Sequence, residues 1–232
     1  MDRRQFNSLS IAAGAGALIP GAAKALSLAD LTSGEASQGV KAALAKGALA
    51  AVSQLGQNDG FLGNDKVRIP LPGFLEDAAK LLRRLGQGQR VDELVTAMNR
   101  AAEQAVPLAK DMLVGAVKTM SLADAKKILT GGDTSATSYF SEKTRAPLAI
   151  KFLPVVTKAT EKVGLAEKYN QLASKAAGLG LMKKEDASIQ QYVTGKTLDG
   201  LYTMIGEEEK KIRQDPVGSG SAILKKVFGA LG

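Results

Sequence analysis

The sequence predicts an all-α protein, an irregular bundle of roughly eight to ten helices. Three observations carry that prediction. Apolar residues recur at three- and four-residue spacing along most of the 232 positions. No stretch shows the two-residue alternation of a strand. Most of the periodic runs are bounded by a capping residue, a glycine or a proline. The one departure is an extended arm around residues 57–72.

The N-terminus comes first. Asp2-Arg3-Arg4-Gln5-Phe6 precedes the weakly apolar stretch Ser8 to Ala23 and the small-residue triplet Ala23-Lys24-Ala25. Charge, apolar run and A-x-A form the order of a cleavable export signal. The Arg3-Arg4 pair with Phe6 resembles a twin-arginine leader. Asp2 and Asn7-Ser8 depart from that pattern, which leaves the general secretory route open. Either route predicts a periplasmic protein, with residues 1–25 removed and residues 26–232 forming a single helical domain. Without Asp2, Arg3, Arg4 and Lys24 the chain keeps 28 basic and 22 acidic residues, a net +6. A basic envelope domain is drawn to anionic lipid or acidic glycan, and the compartment argues against nucleic acid.

Thr32-x-x-Glu35 is a capping-box pattern that opens an alanine-rich helix with Val40, Leu44, Ala48, Ala51, Val52 and Leu55 at helical spacing, stopped by Gly56. Gln57 to Pro72 is dense in turn formers and ends in the extended run Val67-Arg68-Ile69-Pro70-Leu71-Pro72. A helix follows from Pro72 to Leu85. After Gly86-Gln87-Gly88-Gln89 a long one runs from about Arg90 to Met120, kinked or divided by Pro107. Ser121-x-x-Asp124 starts a short helix closed by Gly131-Gly132. Periodicity resumes over Ser135 to Lys143, Pro147 to Val163 and Leu165 to Ala177. Ser188-x-x-Gln191 opens a further helix ending near Pro216, and Gly218-Ser219-Gly220-Ser221 links it to a terminal one.

The absences narrow the chemistry. With no cysteine there is no disulfide, lipoprotein anchor or thiolate metal site. With no histidine the usual general base and the commonest metal ligand are missing. No metal site and no cofactor are expected, and any catalysis would run on carboxylates, Lys, Tyr or Ser/Thr. Gly195-Lys196-Thr197 resembles the end of a phosphate-binding loop, but position 190 is Gln and no strand precedes it. Asp59, Asn64 and Asp65 lack the spacing of a calcium loop, and Gly131-Gly132-Asp133-Thr134 reads as a turn between helices.

Several runs together carry a resemblance. Asp59-Gly60-Phe61-Leu62-Gly63-Asn64, Arg68-Ile69-Pro70-Leu71-Pro72, Met98-Asn99-Arg100-Ala101-Ala102-Glu103, Ala136-Thr137-Ser138-Tyr139-Phe140 and Leu198-Asp199-Gly200-Leu201 occur in that order. Glu207-Glu208-Glu209 and Ile212-Arg213-x-x-Pro216 follow them. The chain in this respect resembles the domain of unknown function 4197 family over nearly its whole mature length. The resemblance implies an exported, helical bacterial protein and supplies no catalytic residue.

Two polar clusters are candidate ligand sites. Asn99, Arg100 and Glu103 project beside the buried stripe of the long helix at spacings that let them share one cluster. Read structurally, they form a hydrogen-bond network between helices at the core's edge. Glu208 falls on the apolar stripe of Leu198, Leu201, Ile205 and Ile212, where a carboxylate needs a partner such as Arg100, Arg68 or Arg145. Asp199 and Arg213 lie on a neighbouring face. In the terminal segment, Lys225 and Lys226 oppose an apolar face that includes Phe228, a pattern that suits either an anionic membrane or the bundle itself.

These features leave three function classes: non-catalytic binding of a lipid, small ligand or envelope protein; a carboxylate-dependent hydrolase acting on cell-wall glycan; and a peripheral inner-membrane structural protein. The first is favoured. The second requires Glu208 or Glu103 in an open cleft facing another acid.

Overall fold

The computed structural model describes residues 33–178 and 188–215. The expected leader over residues 1–25, Thr32 and the terminal segment with Lys225, Lys226 and Phe228 lie outside the described residues. Within them the chain forms eight α-helices and two short 3-10 turns, with no strand. The all-α expectation holds.

Helix α1 (Ser33–Leu55) buries Val40, Ala43, Ala48, Ala51 and Leu55, and packs against α8, α4 and α5. Its small residues let neighbours approach closely: a Cβ on Gly47 would lie 3.3 Å from Ile212 and 3.4 Å from Glu208 of α8. The chain leaves α1 at Gly56 and runs as turns and irregular backbone to Pro72, with Phe61, Val67 and Ile69 buried. This is the predicted arm.

A 3-10 turn, Gly73–Leu75, leads into α2 (Glu76–Arg84). Acids in its first turn and arginines in its last complement the helix dipole. Gly86, at φ 74°, ends it: the Gln87 N–H donates to the Leu82 carbonyl and the Gly86 N–H to that of Arg83. That is a Schellman close, which needs the left-handed backbone glycine adopts freely. Helix α3 (Gly88–Ala105) follows. Pro107 has no N–H to give the carbonyl one turn back, so the chain tightens into the 3-10 turn Val106–Ala109 before α4 (Lys110–Lys118). The single long helix is thus divided.

Helix α5 (Leu122–Thr130) opens with the expected capping box, Ser121 and Asp124 each satisfying the other's backbone N–H. Helix α6 (Ser135–Thr160) corrects the sequence reading, which broke it between Lys143 and Pro147. It runs unbroken through Pro147 and Pro154. Both prolines lie on the exposed side, while Thr144, Leu148, Phe152, Val156 and Thr160, one every four residues, are buried. The carbonyls that lose a donor can take water instead, and a helix wrapped around a core is convex toward solvent. Helices α7 (Gly164–Gly178) and α8 (Ile189–Gln214) complete the described fold; Ser188 caps α8 by accepting from the Gln191 N–H.

Helix α8 is the centre of the packing, lying along α6 on one side and α1 on another, with α3 completing the core. Helix α2 lies at the edge, packed chiefly on α3.

Candidate functional site

The first polar cluster holds the arm. Glu103 is buried, and its Oε1 accepts from the backbone N–H groups of Phe61 at 3.0 Å and Leu62 at 3.1 Å. Its Oε2 accepts from Arg100 at 2.7 Å, and the other end of that guanidinium donates to Asp59 at 2.8 Å. Asn99, fully buried, pairs with Ile69 like a strand neighbour: its Oδ1 accepts from the Ile69 N–H at 2.8 Å and its Nδ2 donates to the Ile69 carbonyl at 2.9 Å. Tyr192 adds a hydroxyl to the Pro70 carbonyl at 3.1 Å. Residues 99, 100 and 103 therefore clasp a loop rather than bridging helices. A segment with no secondary structure must satisfy its backbone elsewhere, and α3 supplies the partners.

The clasp seats Phe61 against α8. A Cβ on Gly200 would lie 2.6 Å from Cε1 of Phe61, so the ring occupies the space that any other residue there would need.

The second cluster differs from expectation by one residue. Glu208 keeps 13% of its side chain exposed; its Oε1 accepts from Gln54 at 3.1 Å and Lys211 at 2.7 Å. None of the predicted arginines reaches it. Arg100 serves Glu103, and Arg145 pairs with Asp199 at 2.6 Å on a half-exposed surface shared with Lys196. The buried carboxylate is Glu209. It accepts from the N–H groups of Ala136 at 3.0 Å and Thr137 at 2.9 Å, and from the Thr137 hydroxyl at 2.8 Å. Arg213 donates to it at 2.8 Å and also reaches Ser135 and the Ile128 carbonyl. Thr134 gives α6 no side-chain cap; Glu209 provides one from 73 residues away. The favourable meeting of a carboxylate with a helix N-terminus explains why it is buried here. The available signal was the Glu209/Arg213 spacing, four residues apart on one face of the helix.

Tyr202 lies beneath the Arg145–Asp199 pair, its hydroxyl 2.9 Å from Thr144. Burial pushes its hydroxyl above the usual tyrosine value, partly offset by Thr144 and the nearby Arg145.

Among the spaces that border these elements, two differ sharply in character. An open cleft of about 430 Å³ between α1 and the end of α8 has Gly47, Ala50 and Ile212 as its floor and Lys46, Lys211, Glu208 and Asp215 around it. Glu208 is already engaged there by a lysine and an amide. The other is an apolar groove of about 160 Å³ between the arm, α2, α3 and α7. Leu75, Ala79 and Leu82 form one wall, Val91 and Leu94 the floor, and Leu165 and Tyr169 the far wall, with Lys168 the one charged residue among its nine lining residues. Sequence reasoning missed this groove. Its one signal was that α2 has leucines on too many sides for a helix with a single buried face.

Among the described residues no group of acids is placed to hold a metal ion, and no helix is long and apolar enough to cross a membrane. Residues 30–229 match the family model described as protein of unknown function (DUF4197). No curated protein and no solved structure matches the chain.

Proposed function

We propose, for a chain that belongs to the DUF4197 family, a non-catalytic role in the bacterial periplasm: binding the apolar part of a ligand in the groove between α2, α3 and α7. The groove itself is the observation that carries this reading. Eight of its nine lining residues are apolar or aromatic, and ligand sites of this kind combine an apolar lining with few polar groups. The polar clusters, in contrast, spend their hydrogen-bonding capacity within the protein.

Size limits the ligand. At about 160 Å³ the groove resembles an apolar cavity of ~150 Å³ that accepts one benzene. It takes an aromatic ring or a few methylenes, not a whole lipid. Burying about five methylenes at ~0.8 kcal/mol each gives ~4 kcal/mol, close to a millimolar dissociation constant. Useful affinity therefore needs further contact outside the groove.

The test is ligand capture. Protein purified from the periplasm is denatured and the released small molecules are identified by mass spectrometry, beside a Leu165→Asn variant that places an amide in the groove wall. One stoichiometric apolar or amphipathic compound, lost in the variant, is the expected result. A clean wild-type protein that also fails to take up a fluorescent fatty acid overturns the proposal.

A further inference from the structure

The apolar groove is too small for a whole lipid, and its rim carries one group able to hold what extends beyond it. Lys168 is the one charged residue among those that line it. The side chain is exposed and forms no ion pair among the described residues. One turn away along α7 stand Gly164, Leu165, Gln171 and Leu172, so its own helix offers it no neighbouring acid. The carboxylates carried by the other walls are engaged elsewhere: Asp77 with Lys80, Asp92 with Arg83, and Glu93 as acceptor from Gln89. Glu76 opens α2 but does not line the groove. An unpaired cation thus stands at the edge of a pocket whose eight other lining residues are apolar or aromatic.

From this juxtaposition we infer that Lys168 receives an anionic head, which makes the ligand of the groove a carboxylate or phosphate ester joined directly to one ring or a short alkyl segment. The inference rests on the groove being the ligand site proposed above and adds the head to it. A lysine stem can lie along an apolar wall while its ammonium stays in water. As a compact point charge, the ammonium attracts an oxyanion without demanding the planar geometry that a guanidinium fork does. Pockets of this kind orient their ligands through a few polar groups at fixed places. With a single such group at the edge, the ligand enters tail first and leaves its charge outside. The length of one lysine side chain sets a further limit. The head must follow the tail within a few bonds, so a charge at the end of a long linker gains nothing from Lys168. A neutral amphiphile leaves the ammonium unused, and a cationic one is repelled.

The experiment is an NMR chemical-shift titration of the purified protein with hexanoate, hexyl phosphate and 1-hexanol at neutral pH, a method suited to weak binding. The better of the two acids is expected to bind about fivefold more tightly than the alcohol, the gain of an exposed ion pair, and its identity names the head. That advantage should shrink as salt is raised. Lys168→Gln should abolish it while leaving 1-hexanol binding unchanged, and Lys168→Arg should keep it. Position 168 is exposed, and unchanged alcohol binding shows that the groove of each variant is intact. Leu165→Asn, in the groove wall, should weaken acid and alcohol together. Equal binding of acids and alcohol to the wild-type protein, or an advantage that survives Lys168→Gln, overturns the inference and leaves the groove reading in place. Failure of all three compounds to bind the wild-type protein overturns both.

Discussion

Replacing Glu103 with alanine should unfasten the arm while leaving the helices in place. The substitution removes the acceptor of two backbone N–H groups and of the Arg100 guanidinium. The Phe61 N–H is buried, and an unpartnered buried donor costs about 1–3 kcal/mol. Leu62 is partly buried and contributes toward the lower end of that range. Arg100 is 31% exposed and keeps Asp59, so its ion pair adds less than ~1 kcal/mol. With the side chain's own buried volume, the expected loss is about 3–5 kcal/mol. For a domain of this size that corresponds to roughly 8–15 °C in Tm. Glu103→Gln preserves an acceptor for the arm but sets an amide donor against Arg100, and should cost ~1–2 kcal/mol. Urea unfolding followed by far-UV circular dichroism measures both losses, and hydrogen exchange at Phe61 and Leu62 tests their origin. Those two amides should lose protection before the helices do. An alanine variant that loses less than ~1 kcal/mol, with both amides still protected, refutes the clasp and returns Glu103 to a ligand role.

Other substitutions probe the remaining contacts. Gly200→Ala must displace the Phe61 ring from a 2.6 Å approach and should destabilise by about 1–3 kcal/mol; Phe61→Leu in the same chain should recover part of the loss, a coupling measurable by a double-mutant cycle. Glu209→Ala uncaps α6 and leaves Arg213 short of its acid, so ~3–5 kcal/mol should be lost in urea unfolding, with exchange accelerating first at Ala136 and Thr137. The raised pKa of Tyr202 predicts the alkaline response. Its contribution is fully present below the ordinary value of 10.0 and is lost as pH rises through the higher folded-state value, because the unfolded chain ionises first. Stability should fall more steeply in wild type than in Tyr202→Phe as pH rises from 10.0 to that higher value, as followed by urea unfolding at stepped pH.

What the sequence revealed was local. The capping box at Ser121 and Asp124, the cap at Ser188 and the division at Pro107 depend on groups within one turn of each other, and each was readable. What it hid depends on which way an element faces. Pro147 and Pro154 break a helix whose proline side is buried and spare one whose proline side is wet; only the packing of Leu148 and Phe152 decides between them. Glu208 and Glu209 differ by about 100° around α8, and Ile212, which suggested the stripe through Glu208, turns toward α1 rather than α6. Asn99, Arg100 and Glu103 were recognisable as a polar cluster, but their partners are 30 to 42 residues away along the chain. The groove requires α2 and α7 to pack on α3 at either side of Val91 and Leu94, a long-range event with no local mark.

The placement of α8 has a consequence for how the chain is made. Gln54 waits for Glu208, 154 residues further on, and Phe61 waits for Gly200. At about 5–20 residues per second on the ribosome, that is on the order of ten seconds or more during which α1 and the arm exist without the helix that covers them. The side of α6 that meets α8 stays open for a shorter stretch, 58 residues from Thr144 to Tyr202 and 73 from Ala136 to Glu209. A transcript cut short before residue 188 would thus yield no smaller working protein. It would yield a nascent chain with its core unroofed, a substrate for chaperones and proteases.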